Sequence, residues 1–379
     1  EEGKTQWRRA RVMIVGKGQV GKSSLHRAIC EQPVSDIKST VVADVDEVEI
    51  ADVSVEGGDD GKEHRVKIKK CEGNINNLQS ALKGELLRRR RRPPTAQKCK
   101  GAPRTQISVP SEPSRATSIP GEDEKVVSKN GEAMAGPVLK ELEDLVASFD
   151  DGREPLHASV WDFAGQEVFY SAHVLFIHPK SIYIVVFSLK DWIGTENHKQ
   201  ERGYLEFWLK SIYTYAKGAR ILIVGTHLDF LDPETVEDEL ESCGIAIFDL
   251  ARRILGESLE GKIRVCKSGS NKGDLPFFPV NVKGGHDQTR PQVIMNELRL
   301  ALKKAMLSQL RTEEPVPVEW ARVCDYVNDE LKEPWMTVSK IQERLKADLN
   351  MDLSTEHLRR MLSKFNQLGA CVYINEPHL

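Results

Sequence analysis

Several things are scarce in this chain, and each scarcity excludes a class of protein. There is no surplus of charge: 54 Lys and Arg against 57 Asp and Glu leave a formal net charge of −3. With a pI near 6.4 this gives no overall footprint for nucleic acid. The seven cysteines are odd in number, scattered and without a CxxC pair. That argues for reduced thiols in the cytosol, each a free and mostly buried cysteine. No apolar run approaches the length of a membrane span. The longest strand-like run, Ile182-Tyr183-Ile184-Val185-Val186-Phe187, reads as a central parallel strand. No signal peptide and no internal repeat are visible, and the chain starts abruptly at Glu1, as an excised fragment would. What remains is a chain of 379 residues, long enough for two domains with separate cores.

What is present begins with Gly16-Lys17-Gly18-Gln19-Val20-Gly21-Lys22-Ser23, a complete GxxxxGK[ST] loop. The run Val12-Met13-Ile14-Val15 feeds it and the helical stretch Ser24 to Cys30 leaves it, which is the strand–loop–helix context the motif requires. Glycines let backbone N–H groups turn toward phosphate oxygens, and the helix N-terminus adds positive potential there. Gly16, Gly18, Gln19, Val20, Gly21, Lys22, Ser23 and Ser24 are therefore candidate contacts to a nucleoside triphosphate. Lys22 would reach the β- and γ-phosphates, and the Ser23 hydroxyl would ligate Mg²⁺. A Gly-rich turn that binds nothing is the bland alternative.

Two further strand ends extend the site. Ala158-Ser159-Val160-Trp161-Asp162-Phe163-Ala164-Gly165-Gln166 is a strand closing in DxxGQ. Asp162 stands where a Mg²⁺-linked carboxylate belongs, the Gly165 N–H can touch the γ-phosphate, and Gln166 can orient the attacking water. Lys22 and Gln166 are the candidate catalytic residues. Arg220-Ile221-Leu222-Ile223-Val224-Gly225 ends in Thr226-His227-Leu228-Asp229. A carboxylate there can accept both N1–H and the N2 amine of guanine, a pair of donors that adenine lacks. Thr226 and His227 stand in for the usual Asn and Lys, and His227 can lie against the base plane. The plain alternative for Asp229 is a helix N-cap for the next turn. Thr40, with Ser39 as rival, is the candidate for closing on Mg²⁺ from a loop after the first helix. A last strand, Phe277 to Asn281, leads into Val282-Lys283, so Asn281, Val282 and Lys283 are candidates for contact with the guanine carbonyl. The metal set is Ser23, Thr40 and Asp162.

Composition shifts set the organisation. Residues 10–71 read as strand, loop and helix, followed by period-2 strands over Asp44–Val53 and His64–Lys70. From about 72 to 137 the pattern dissolves into Arg, Pro, Ser, Gly and Lys, too polar to offset its ordering entropy. A short amphipathic helix is expected over Leu139–Phe149. Strands then alternate with helices from 158 to 310, as in a parallel sheet covered on both faces. Arg311 to Pro317 is a linker, followed by helical patterns at 318–332, 337–348 and 354–368 and a strand over Ala370–Ile374. The insert carries Arg88 to Arg92, read first as a solvated loop tip, with an importin signal, an anionic-lipid patch or a nucleic-acid patch as the alternatives.

Together the phosphate loop, Thr40-Val41 with Asp44-Val45, the DxxGQ strand and Gly225-Thr226-His227-Leu228-Asp229 resemble the Roc (Ras of complex proteins) domain of the Roco family. The THxD variant and Phe169-Tyr170-Ser171-Ala172-His173 are the more specific marks. Glu314-Pro315-Val316-Pro317-Val318-Glu319-Trp320 resembles the opening of the COR (C-terminal of Roc) module. Leu362 to Tyr373 resembles its helix-then-strand element, of the winged-helix kind. The resemblance implies an α/β fold: a P-loop NTPase (Ras-like) doubly wound, mostly parallel sheet, followed by a small, mainly α, winged-helix-like partial domain. It implies a flank at 1–9, a Roc GTPase domain at 10–311 and the N-terminal part of a COR domain at 312–379. Gln166 sits where some Roc domains carry Arg, which implies less impaired hydrolysis here. Val42 and Ala43 replace an expected Gly-Ile pair.

The implied activity is a GTP-hydrolysing switch with GTP/GDP and Mg²⁺ as ligands, slow in turnover, in the cytoplasm, controlling a larger signalling protein. Protein partners and a homodimer would engage COR residues beyond Leu379, leaving this fragment largely monomeric. No specific nucleic acid and no transmembrane segment are expected, while peripheral membrane contact stays open. Two other classes compete: a scaffold that binds GTP or GDP with little turnover, and an ATPase of the same fold, which Asp229 disfavours.

Overall fold

A computed structural model describes residues 4–5, 7–34, 40, 43–55, 63–71, 156–165, 176–194, 197–256, 274–282, 289–311, 315–331, 333 and 335–374. The expected insert at 72–137, the helix expected over Leu139–Phe149, Gln166, the Phe169–His173 segment and Lys283 lie outside the described residues.

The chain order begins β1 (Lys4–Thr5), β2 (Arg9–Gly16), α1 (Lys22–Ile29), β3 (Ala43–Val55), β4 (Glu63–Lys70), β5 (Leu156–Phe163) and β6 (Ser181–Ser188). It continues α2 (Leu189–Ile193), α3 (His198–Tyr215), β7 (Arg220–Thr226), α4 (Val236–Leu255), β8 (Phe278–Pro279) and α5 (Thr289–Leu310). The last elements are β9 (Val316–Pro317), α6 (Val318–Asp329), α7 (Val338–Leu349) and α8 (Thr355–Leu368). Among the described residues seven strands form one sheet in the order β4-β3-β5-β2-β6-β7-β8. Strands β5, β2, β6, β7 and β8 run parallel, whereas β3 lies antiparallel to both β5 and β4. This is the mostly parallel, doubly wound sheet with one reversed strand that a Ras-like P-loop fold has.

Side-chain alternation along each strand builds the two faces. Ala10, Val12 and Ile14 of β2 pack with Leu25 and Ile29 of α1 and Leu298, Leu302 and Met306 of α5. Met13 and Val15 point the other way, into a core with Leu205, Trp208 and Leu209 of α3 and Ile247 and Leu250 of α4. Both β2 and β6 are buried along their whole length, which is why they read as unbroken apolar runs. Among the described residues of β3 and β4 only Val48, Ile50, Val66 and Ile68 are buried, the one-sided pattern of a hairpin with a wet face.

The C-terminal helices make a third core of their own. In α8, Leu358, Met361, Leu362, Phe365 and Leu368 recur at helical spacing and are all buried. Ser354 caps the start by accepting a hydrogen bond from the His357 N–H at 3.2 Å, worth about 1 kcal/mol. This core also takes in Trp7, whose ring meets Phe365 edge to face at 5.8 Å. Lys4–Thr5 pairs antiparallel with Val316–Pro317 just ahead of α6. The stretch expected as a flank at 1–9 thus supplies a ladder and an aromatic plug to the C-terminal helices.

Two strand expectations are corrected. The last strand of the sheet is Phe278–Pro279, not Phe277–Asn281, because only these two residues stand in register with β7, opposite Val224 and Gly225, before the chain turns to dock on Leu228. No strand forms over Ala370–Ile374. The Cys371 carbonyl, which a ladder would use, accepts instead from the Arg11 guanidinium at 3.3 Å.

Candidate functional site

The loop Lys17–Gly21 connects the carboxyl end of β2 to α1, and Lys22 opens the helix. The buried Lys22 ammonium donates to the carbonyl oxygens of Gly16 (3.1 Å) and Lys17 (2.8 Å). An ammonium has three N–H donors, so one stays available for a further acceptor. Burial lowers the Lys22 pKa to about 8, with Asp162 and then Glu201 acting against that shift. Gln19 adopts the left-handed region at φ 66° and Gly21 at φ 83°, the alternation that turns successive N–H groups inward. Val20 is buried against the core, and Ser23 and Ser24 lie half-buried in the first turn of α1.

The strand carrying DxxGQ ends beside this loop. The Ser23 hydroxyl donates to Asp162 Oδ2 in a short contact. Thr40 Oγ1 lies 3.2 Å from Ser23 Oγ and 3.3 Å from Asp162 Oδ2. Burial raises the Asp162 pKa, and Asp162 Oδ1 is buried with no hydrogen-bond partner among the described residues. Two hydroxyls and a carboxylate with an unused oxygen form an oxygen donor set that suits Mg²⁺, a cation that takes one or two carboxylates and completes its shell with phosphate and water. Gly165 closes over the loop so tightly that a Cβ there would meet Gly18 N and the Lys17 carbonyl at 2.4 Å, so only glycine fits.

Strand β7 carries the second half of the site. Thr226 is buried, and its hydroxyl lies 2.6 Å from the Val20 carbonyl and 3.1 Å from that of Phe187. This single side chain ties the strand leading to Asp229 onto the phosphate loop. His227 takes φ 61° and turns its ring edge to face Phe230 at 5.8 Å, and its Nδ1 lies 3.2 Å from Thr226 Oγ1. Asp229 sits exposed in the short 3₁₀ turn Leu228–Phe230, and the N-cap position of the next helix, α4, is Thr235. Asp229 is therefore not the cap of α4. The loop after β8 docks on the same turn: Val280 N–H donates to the Gly225 carbonyl at 2.7 Å, and Leu228 N–H to the Val280 carbonyl at 3.4 Å. Asn281 and Val282 come next, half-buried.

Sequence reasoning passed over Lys17 and Glu201, which meet beneath the loop. A single acid in the first turn of a helix carries no local signal beyond complementing the helix dipole. It also passed over Arg9 and Arg11, two buried arginines inside an apolar strand. Their sign in the sequence was charge at strand positions where the alternation calls for apolar side chains.

Comparison with known proteins agrees with this geometry. The family described as "Ras of Complex, Roc, domain of DAPkinase" matches residues 130–229. The probable serine/threonine-protein kinase roco5 of Dictyostelium discoideum is 32% identical over 240 residues, 62% of this chain and 7% of that protein. The chain carries the Roc domain of the Roco family. The probable serine/threonine-protein kinase pats1 of the same organism is 39% identical over 101 residues, 25% of this chain and 3% of that protein. The chain thus spans less than a tenth of the length of these two relatives. A solved structure, Methanosarcina barkeri Roco2 RocCORdC bound to GDP, aligns over 100% of this chain and 72% of that one, with a TM-score of 0.49 and 13% identity. At that level the likeness adds no weight to the fold that the sheet order already gives. The Roc domain is of the Ras-like GTPase kind. Among the described residues no helix is long and apolar enough to cross a membrane.

Proposed function

We propose that this Roc domain binds GTP and GDP with Mg²⁺, hydrolyses GTP slowly, and works as a switch inside a larger signalling protein. The observation that carries the reading is the convergence of Lys22, Ser23, Thr40 and Asp162 at one helix N-terminus, with Asp229 held nearby through Thr226. Mg²⁺ would be held by Ser23, Thr40 and Asp162 and would neutralise negative charge on the phosphates. Lys22 would hold the phosphate charge, and Asp229 would accept the two guanine donors. Gln166 would orient water, and Asn281 to Lys283 would flank the base. The helices from 318 to 368 are assigned to the first part of a COR module, supported by the shared core with Trp7. Cys30, Cys71, Cys243, Cys324 and Cys371 carry no disulfide, which fits a cytoplasmic setting.

The test is binding and hydrolysis of GTP, ATP and XTP on one preparation, with Asp229→Asn alongside. The wild type should prefer GTP. The variant should shift toward XTP, because its amide offers a donor to the xanthine carbonyl that replaces the guanine amine. A variant that binds GTP as before would overturn the base-site assignment. Gln166→Leu should retain GTP affinity and slow single-turnover phosphate release. An unchanged rate would favour a scaffold over a hydrolytic switch.

A further inference from the structure

The second residue of the phosphate loop is a lysine that turns its charge down beneath the loop and onto α3. Lys17 Nζ lies 3.5 Å from Glu201 Oε2 and 4.0 Å from Asp191 Oδ2, and 5.6 Å above the Tyr204 ring. Glu201 is 1% exposed, so its charge is cut off from water and needs a local partner. Its Oε1 accepts the Ser188 N–H at 2.8 Å, at the carboxyl end of β6, and its Oε2 faces Lys17. Asp191 is held in turn, its N–H donating to the Ser188 hydroxyl at 3.2 Å. One carboxylate thus fixes the β6–α2 junction with one oxygen and the phosphate-loop lysine with the other.

The position has an electrostatic consequence. The Lys17 carbonyl is one of the two that hold the Lys22 ammonium, so the backbone of the residue that Glu201 grips carries the phosphate-binding lysine. Glu201 also acts on Lys22 through space, favouring its charged form. A carboxylate beneath a loop built to attract phosphate opposes that attraction, and the ammonium of Lys17 cancels it. We propose that Glu201 and Lys17 are a charge counterweight of the guanine-nucleotide site: positioning residues that hold the loop lysine off the phosphates and so limit how tightly GDP and GTP are retained. The proposal rests on the guanine-nucleotide reading above. A loop whose lysine is held in this way exchanges nucleotide faster than the same loop with Lys17 free.

The two halves predict opposite signs, which a merely structural role cannot give. Glu201→Gln keeps an acceptor for Ser188 N–H but removes the negative charge and leaves Lys17 only the half-exposed Asp191. Lys17→Met keeps the bulk but leaves the carboxylate uncompensated beneath the loop. GDP affinity of the full chain, measured by titration calorimetry with Mg²⁺, should tighten on the order of tenfold in Glu201→Gln and weaken on the order of tenfold in Lys17→Met, the scale of one charge acting across about 10 Å at an effective dielectric of ~20. The double variant should return near the wild type, and Asp191→Asn should tighten GDP less than Glu201→Gln. Thermal midpoints without nucleotide separate folding from binding. If Glu201→Gln does not fold, Lys17→Arg against Lys17→Met carries the test: the first should bind GDP like the wild type and the second weakly. Equal affinities across the variants, or a loss in both single variants, would overturn the counterweight and leave the nucleotide reading standing. A wild-type chain that binds no GDP would overturn both.

Discussion

A buried lysine is costly unless its charge has work to do, and Lys22 bears that cost at the mouth of the phosphate loop. Burial brings its pKa down to about 8, against an ordinary value of 10.5. The sign of the consequence depends on which form binds phosphate. Below about pH 8 the ammonium is already in place, so binding takes up no proton there. Above it the group is increasingly neutral, and binding a phosphate must draw a proton onto it. Nucleotide affinity should therefore fall as the pH rises through about 8. Calorimetry in buffers of different ionisation enthalpy should show proton uptake at pH 9 and almost none at pH 7. Lys22→Ala should cost on the order of 100-fold in affinity, the upper range for losing a charged hydrogen bond, and should abolish that uptake. Nucleotide retained at wild-type strength by this variant would remove the phosphate-loop reading. The residues of this half of the site were legible because they are contiguous in sequence. Thr226 was legible only as a substitute for Asn. Its hydrogen bond to Val20, 206 residues away, arises from sheet order alone.

At the scale of elements, local periodicity was enough for α8 and misleading for the residues after it. The apolar stripe from Leu358 to Leu368 needs no partner to be recognised, since the spacing itself implies a helix. A strand is different: Ala370 to Ile374 alternates suitably but becomes a strand only where another edge offers a ladder. Here α8 ends instead on Gly369, at φ 76°, with Ala370 N–H donating to the Phe365 carbonyl at 2.9 Å. That glycine is pressed against the sheet: a Cβ would lie 1.9 Å from Ser159 Oγ and 3.3 Å from Arg11 Cβ. Leu368 adds its carbonyl to the same contact, accepting from Arg9 Nε at 3.2 Å. Gly369→Ala must therefore meet an unfavourable backbone region, costing about 1 kcal/mol or more, and a collision as well. The expected outcome is a clear fall in melting temperature. Asn350, at φ 53° after α7, is the control. Asn350→Gly should hold or raise stability, because it relieves the same backbone region away from the sheet. A Gly369→Ala protein that melts like the wild type would mean that the C-terminal helices do not rest on β2 and β5 in solution.

For the whole molecule, the question is whether those helices sense the nucleotide. Coupling requires an element that both sites bias, because a ligand shifts an equilibrium only by its differential affinity for the two states. The residue that touches both regions is Arg11. Its guanidinium is buried against the Trp161 ring at 4.9 Å, one residue before Asp162. It donates to the Phe176 carbonyl at 3.4 Å, to Asn366 Oδ1 at 3.2 Å and to the Cys371 carbonyl at 3.3 Å. These acceptors are neutral and come from two regions: Phe176 just ahead of β6, and the end of α8 with the residues after it. Burial lowers the Arg11 pKa to about 10, which leaves it charged at neutral pH. A buried charge held by neutral acceptors cannot lose one without a cost of about 2 kcal/mol, so a shift of Phe176 must be answered at Asn366 and Cys371. Hydrogen exchange over residues 318–374 should therefore differ between GDP and a non-hydrolysable GTP analogue, most of all at 362–372. Arg11→Lys keeps the charge but loses the planar fork that spans three acceptors. It should bind GDP as the wild type does and lose most of the nucleotide-dependent difference in exchange. Identical protection of 318–374 in both nucleotide states of the wild type would make the helices a spacer. A difference that persists unchanged in Arg11→Lys would send the coupling through the Arg9–Glu47 pair or the Trp7 plug instead.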